Sequence, residues 1–405
     1  MAATPSPLLA SPTGAGNRLA HIGAARQTLL YGAPPPDATL TSHQQPVAGW
    51  LEQSWRRSLA HGHRPQDTPQ FDVITADRLR NTLDASRLLR QAARPVLDQL
   101  GLAIAGSRYF AVLTNADGIV IDAGGLIDTR DPRALLVSRV GADLSERRVG
   151  TTAIGAALAA QESVWLHRGE HFFEANSVYS CAGAPLFGPD GQCIGMLDLT
   201  GIETVERPEL RHLAVQSARQ IDNALLMARP HALLLRLNWP GRALGDDGDG
   251  LLTLDAEGNI TGSNHAARQL LPSLGSARSP TEAPWHCTDL FATPFEPLFD
   301  IARRGHGTSA GGVDLPLWSG LRLQALPLLP GHRKPVRRPA AHDLHMPAVA
   351  PGARPLRDLE TALIRQAVDD ARGNVLQAAK ALGVSRATVY RRLNPALRRR
   401  EISDH

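Results

Sequence analysis

Residues 178–200 hold two apolar, β-rich runs, Val178–Leu186 and Gln192–Thr200, either side of Gly188-Pro189-Asp190-Gly191. The pattern specifies a hairpin closed by a turn of that composition. Counting outward from the turn sets Phe187 against Gln192 and Cys181 against about Asp198. Cys181 and Cys193 are then not cross-strand partners, and no disulfide between them is expected. A second hairpin spans Arg108–Leu126 about Asn115-Ala116-Asp117-Gly118. Around these lie a small-residue helix, Thr151–Ala160, a short strand, Ser163–Leu166, and a long helix, Glu206–Met227. Upstream, Trp50, Leu51, Trp55 and Leu59 share one side of a helix that stops at Gly62 and Pro65, and Ile74–Leu102 reads as one or two helices. Hairpins with helices before, between and after them make an α+β domain on an antiparallel sheet. Residues 1–46, rich in Ala, Pro, Gly and Ser, read as a flexible tail.

Five stretches in this order carry a resemblance: SWRRS, RVGTTAIGAALA, the segment around HRGEHF, CAGAPLFGPDGQCIGMLDLTG, and the long closing helix. Residues 47–228 resemble the helical lead-in and GAF sensor domain of the acetoin-regulator class of bacterial activators. The family usually has Asn where this chain has Thr152. The resemblance implies a small-molecule effector held between the sheet and its overlying loops. Thr151, Thr152, Trp165, His167, His171, Phe172, Tyr179 and Cys181 are the candidate contacts. Trp165 and Phe172 equally fit a core role, and the histidines fit bonds to neighbouring carbonyls. His167-Arg-Gly-Glu170-His171 also matches H-x-x-E-H. Zinc hydrolysis needs both imidazoles on one helical face, and a β-type run enters this segment while Gly169 weakens a helix at its centre. No metal site and no cofactor are assigned.

Pro230–Gly250 reads as a break whose acidic run lacks the spacing of a calcium loop. Leu251–Arg268 is strand, Asp/Gly turn, strand, then Asn264 opening a helix. This resembles the start of a PAS domain, so residues 229–330 are assigned to a small PAS-like α+β domain in which Trp285, Phe291, Phe295 and Phe299 form core. Residues 331–355 are a Pro-, Arg- and His-rich linker.

The remaining segment, 356–405, concentrates basic residues near the C-terminal end. Gly373–Arg400 has seven Lys/Arg and no carboxylate, against a net charge of +4 for the whole. A short helix over Val375–Leu382 follows Asn374, Gly383 ends it, Ser385 caps a second helix to about Leu393, and Asn394-Pro395 closes that. Ala378 and Ala379 allow a close crossing, which Leu382, Val384, Val389 and Leu393 fill. This is a helix-turn-helix, with Arg386, Thr388, Tyr390, Arg391 and Arg392 facing outward toward a major groove and its phosphates. The stretch resembles the all-α Fis-type module of bacterial enhancer-binding regulators. The preceding helix bears Leu356, Leu359, Leu363, Ile364, Ala367, Val368 and Ala371, an apolar stripe wider than one helix pair covers, and the family uses that surplus for dimerisation. By the resemblance Arg386 and Thr388 contact DNA, Arg391 and Arg392 lie near the backbone, and Asn374 and Ser385 lie on the phosphate side. Tyr390 stands where the nucleoid protein is basic, so base preference does not carry over.

Three scattered cysteines suggest a reducing compartment. No signal peptide and no run of about 18 apolar residues is present, so a cytoplasmic protein with no membrane partner is expected. No G-x-x-x-x-G-K-[ST] loop occurs, so the AAA+ domain that relatives carry between sensor and DNA module is missing, and ATP hydrolysis is not expected. The expected function is a non-enzymatic, effector-controlled, sequence-specific regulator, a homodimer on double-stranded DNA, with RNA polymerase or a full-length paralogous activator as a further partner. The alternative is an interaction protein that heterodimerises with, or antagonises, a full-length sigma-54-dependent activator.

Overall fold

The computed structural model describes residues 13–32, 47–275, 283–304 and 312–330, with positions 375 and 377. The chain divides into two units, Met1–His332 and Arg333–His405. In the second unit Val375 and Gln377 are helical, and Asn374, Ser385, Arg386, Thr388, Tyr390, Arg391 and Arg392 lie outside the described residues.

The first unit begins with α1 (Thr13–Tyr31), where a flexible tail is expected. Ile22, Ala25 and Leu29, spaced three or four apart, with Leu30 next to the last, give this helix an apolar stripe that packs on the core. That stripe is diluted by Gly and Ala, so the segment looks featureless until its docking surface is present. Then follow α2 (Gly49–Ala60), α3 (Ala76–Ala85) and α4 (Arg87–Ile104). In α4 Leu89, Ala93, Leu97, Leu100 and Ile104 are buried along one face. Strands β1 (Tyr109–Asn115) and β2 (Val120–Gly124) form the first hairpin. Helices α5 (Pro132–Ser138), α6 (Glu146–Val149) and α7 (Ala153–Ala160) follow, with β3 (Val164–His167) next. The second hairpin is β4 (Tyr179–Phe187) with β5 (Cys193–Ile202), and α8 (Leu210–Ala228) follows it.

These strands make one antiparallel sheet in the order β2-β1-β5-β4-β3. Alternation divides its side chains between two cores. Phe110, Val112, Val164, Leu166, Tyr179, Cys181 and Met196 join the core on which α7 lies. Tyr109, Ala111, Leu113, Trp165, Ala182 and Leu197 join the core under α4 and α8. We call these the α7 face and the α8 face.

The β4–β5 register differs from the count made outward from the turn. Cys181 pairs with Thr200, Asp198 with Gly183, and Phe187 with Cys193, because the ladder is irregular between Leu186 and Phe187. The slip at Cys181 is two residues, which preserves side-chain parity, so Asp198 still shares a face with Cys181.

A second sheet follows α8, and its first strand falls where a break is expected. β6 (Leu233–Asn238) is a leucine-rich run interrupted by Arg236, with its main turn signals outside it, at Pro230 and Trp239-Pro240. After it come β7 (Gly250–Leu254), β8 (Ile260–Ser263), α9 (His265–Leu270), α10 (Cys287–Leu290), α11 (Glu296–Arg304), β9 (Val313–Pro316) and β10 (Arg322–Leu328). The strand order is β8-β7-β6-β10-β9, again antiparallel. Asn264 caps α9 by accepting from Ala267 N at 2.8 Å, and donates to Asn223 of α8 at 2.9 Å.

Helix α2 is locked to the α6–α7 segment through Glu146. Arg57 grips its carboxylate with Nε at 2.6 Å and Nη2 at 2.9 Å, and Ser54 Oγ also donates to it. Thr151 Oγ1 lies 2.9 Å from Ser54 Oγ and 3.1 Å from Ser58 Oγ. Replacing Glu146 by Ala removes the acceptor of the half-buried Arg57 guanidinium and one partner of the buried Ser54 hydroxyl, and leaves a cavity where the carboxylate was. It is expected to cost about 2–4 kcal/mol in urea denaturation. A loss near zero would show that the lock contributes no stability.

Candidate functional site

The α7 face carries an unusual set of polar groups in its centre. Asp198 and Thr200 on β5, Cys181 and Tyr179 on β4, and Thr114 on β1 are all buried. Thr200 Oγ1 donates to Asp198 Oδ2, and Cys181 Sγ lies 3.8 Å from Thr200 Oγ1. The other carboxyl oxygen, Asp198 Oδ1, has no hydrogen-bond partner, and neither has Thr114 Oγ1. Val112 lies directly across from Asp198, and Thr114, two residues on, projects from the same face. A free acid oxygen and a free hydroxyl therefore occupy neighbouring strands of one buried surface.

Burial sets the chemistry of these groups. The Asp198 carboxyl is pushed up to about 7 by desolvation, against the pull of Thr200 and Cys181. It is therefore substantially protonated at neutral pH and offers a donor as well as an acceptor. Burial also pushes the Cys181 thiol and the Tyr179 phenol up, so both stay neutral. Tyr179 donates to the Arg133 carbonyl at 3.3 Å. These few polar groups are set in an otherwise apolar face formed by Phe110, Val112, Val164, Leu166 and Met196.

The eight residues selected from the sequence do not converge. Tyr179 and Cys181 stand on the α7 face, and the ring of His171 lies 6.3 Å from that of Tyr179. His171 Nδ1 lies 3.0 Å from the Arg168 carbonyl, its Nε2 is unpartnered, and burial pushes it down to about 4, so it is neutral. Thr151 is taken up by Ser54 and Ser58, and Thr152 caps α7 by accepting from Gly155 N at 3.4 Å. Phe172 is core, its ring 5.3 Å from that of Phe173. Trp165 belongs to the α8 face, and His167, two residues further along the edge strand β3, stacks on it. The HRGEH run leaves β3 as a single 3-10 turn, with His167 Nδ1 against Ser180 Oγ. Among the described residues no group of three or more His, Cys, Asp or Glu is placed to hold a metal. No helix among them is long and apolar enough to cross a membrane.

Three members of the cluster, Thr114, Asp198 and Thr200, were not selected from the sequence. Their signal is the alternation Met196-Leu197-Asp198-Leu199-Thr200, in which an ionisable residue takes an inward position of a central strand. A carboxylate at such a position is rarely structural unless paired.

Two family descriptions match the chain. "MimR, N-terminal domain" covers residues 23–223, and "Bacterial regulatory protein, Fis family" covers residues 355–394. The "Acetoin catabolism regulatory protein" of Cupriavidus necator is 31% identical over 289 residues, 69% of this chain and 41% of that protein. The "Propane 2-monooxygenase operon transcriptional activator MimR" of Mycolicibacterium smegmatis is 29% identical over 271 residues, 62% of this chain and 44% of that protein. The chain thus spans about two fifths of the length of the curated relatives it matches. Among solved structures, a chain of the E. coli DhaR(N)-DhaL complex aligns over 70% of this chain and 93% of its own length, with TM-score 0.42 and 14% identity. The chain is a homologue of the acetoin and MimR-type transcriptional regulators, joining a MimR N-terminal domain to a Fis-family helix-turn-helix.

Proposed function

We propose that this chain is a sequence-specific DNA-binding regulator governed by a small molecule held on the α7 face, acting as a homodimer and without an ATPase of its own. The observation that carries the sensing half is an unpaired Asp198 oxygen and an unpaired Thr114 hydroxyl on the adjacent strands β5 and β1, both buried on the sheet face against which α7 packs. A bound molecule with one acceptor and one donor would satisfy both. The relatives are named for acetoin catabolism and for a propane 2-monooxygenase operon, which supports a small-molecule signal. Tyr179, Cys181 and His171 complete the lining. Residues 229–330 are a PAS-like unit, and residues 331–355 link it to the DNA module at 356–405. Within that module Arg386 and Thr388 read bases, with Asn374, Ser385, Tyr390, Arg391 and Arg392 at the backbone or flanking it. Effector binding then shifts the population or geometry of the DNA-binding dimer. The absence of a phosphate-cradling G-x-x-x-x-G-K-[ST] loop from the sequence supports action without nucleotide hydrolysis.

Electrophoretic mobility shift with the chain's own upstream DNA tests the DNA half. If a dimer neutralises about six phosphates, log affinity should fall against log salt with a slope of about −5, and a flat slope would exclude this mode. Arg386→Ala should compress the ratio between specific and unrelated duplexes, while Arg391→Ala or Arg392→Ala should weaken both alike. Binding only in the presence of a second, full-length activator would favour the interaction-protein reading.

Asp198 gives the sensor a pH signature. The unfolded chain releases this proton near 3.8 and the folded chain at about 7, so the native state binds the extra proton between them and stability falls as pH rises through that window. Asp198→Asn removes this contribution. Its stability relative to wild type should increase from about pH 5 to about pH 8 by on the order of 2 kcal/mol in thermal denaturation. A gap that does not change with pH would show that Asp198 is not held protonated.

A further inference from the structure

The α8 face holds a second seat, and a side chain of the protein already sits in it. Trp165 and His167 stack on β3 with centroids 5.7 Å apart and 9° between their planes. Arg18 of α1 sets its guanidinium carbon 4.1 Å above the indole. From there its nitrogens diverge to two carboxylates: Nη1 donates to Glu206 Oε1 at 2.8 Å, and Nη2 donates to Glu170 Oε1. A planar cation on an aromatic plate between two carboxylates combines cation–π attraction with charge-assisted hydrogen bonds.

The plate and one of the two carboxylates are held independently of Arg18. Glu170 is fixed through its second oxygen, which accepts from His167 N at 2.7 Å, and Trp55 Nε1 donates to its carbonyl at 2.9 Å. Pairing of β3 with β4 places Trp165 and His167. None of these contacts involves α1. The occupant is the more solvated partner, with the Arg18 side chain 33% exposed and that of Glu170 only 6%. Burial raises the Glu170 carboxyl, while the charge of Arg18 and the His167 amide pull it back down, so a cation in this position favours its ionised form. Trp165 Nε1, buried and without a hydrogen-bond partner, leaves one donor spare at the plate.

We propose that the Trp165–Glu170–Glu206 seat binds a small molecule carrying a guanidinium or amidinium group, and that Arg18 is its resident competitor. The proposal is independent of the α7-face site. Displacing Arg18 frees the N-terminal part of α1, while Arg26 keeps its remainder tied to the carbonyls of Gly169, His171 and Phe172 at 2.9, 2.6 and 2.9 Å. A planar fork matches two carboxylates better than a compact ammonium does.

The full chain carrying Arg18→Ala is titrated with ethylguanidinium chloride at low millimolar concentration, with sodium chloride and urea as controls, and followed by thermal shift. A saturable rise in Tm specific to ethylguanidinium is expected. It should be about tenfold or more weaker in wild type, in R18A/E170Q, and with ethylammonium in place of ethylguanidinium. No saturable response in R18A, or one unchanged in R18A/E170Q, would overturn the proposal. Should R18A not fold, wild type carries the test through hydrogen exchange of the α1 amides. Their exchange should quicken with ethylguanidinium and not with either control, and unchanged exchange would overturn the proposal equally.

Discussion

A single buried carboxylate, Glu146, holds the sensor half together. Three residues of α2 share one face by helical spacing, and two of them, Ser54 and Arg57, reach this carboxylate, while Ser58 with Ser54 meets Thr151. Gly155 completes the fit, since a Cβ there would lie 2.3 Å from Glu146 Cγ. SWRRS and ERRVGTTAIG are thus two halves of one lock, about ninety residues apart in sequence and in direct contact once folded. A buried ion contributes little net stability when paired but is expensive to break, so each half constrains the other. Trp55 extends the lock to the 168–170 turn, which is where α1 also attaches.

The same economy appears between the two sheets. The first is ordered β2-β1-β5-β4-β3 and the second β8-β7-β6-β10-β9, each with a middle strand flanked by two hairpin strands. In the first sheet the middle strand comes last in sequence, and in the second it comes first. Helix α8 joins those two strands directly, so the centre of one sheet is one helix away from the centre of the other. Asp222 accepts from Phe187 N at 3.0 Å, Asn223 meets Asn264, and Leu226 packs with Leu234 and Leu251, which ties α8 to both sheets through side chains as well. Asp198 and Thr200 lie on the strand that leads into this helix.

The hairpins, the strand at 163–166 and the helices around the first sheet were legible because alternation, turn residues and 3.6-residue spacing are local signals. What escaped was non-local. Helix α1 is stabilised by Arg26 forking onto three carbonyls more than a hundred residues away, which no window of sequence contains. Strand β6 lacks alternation because both its faces are covered, so it resembles any short apolar run. Of the candidate effector contacts read from the sequence, Tyr179 and Cys181 fall on the α7 face, whereas Trp165 and His167 fall on the other, because a β-strand sends neighbouring residues to opposite faces and no local pattern says which face a ligand would use. The two-residue slip in the β4–β5 ladder changed Cys181's partner and left its face intact.

Among the described residues of the first unit five acids are almost wholly buried: Glu146, Glu170, Asp198, Asp222 and Asp249. Four have a structural partner that accounts for them. Glu146 has Arg57, Glu170 has Arg18 and the His167 amide, Asp222 has the Phe187 amide, and Asp249 has Arg236 at 3.1 Å with the Gly245 amide at 2.6 Å. Asp198 has only Thr200 and a distant thiol, with one oxygen left bare in the middle of a β-sheet. A buried carboxyl with one oxygen unpartnered has fewer hydrogen bonds than its desolvation calls for. On a face that also carries the unpartnered Thr114 hydroxyl one strand away, that shortfall is the observation on which the proposed effector site rests.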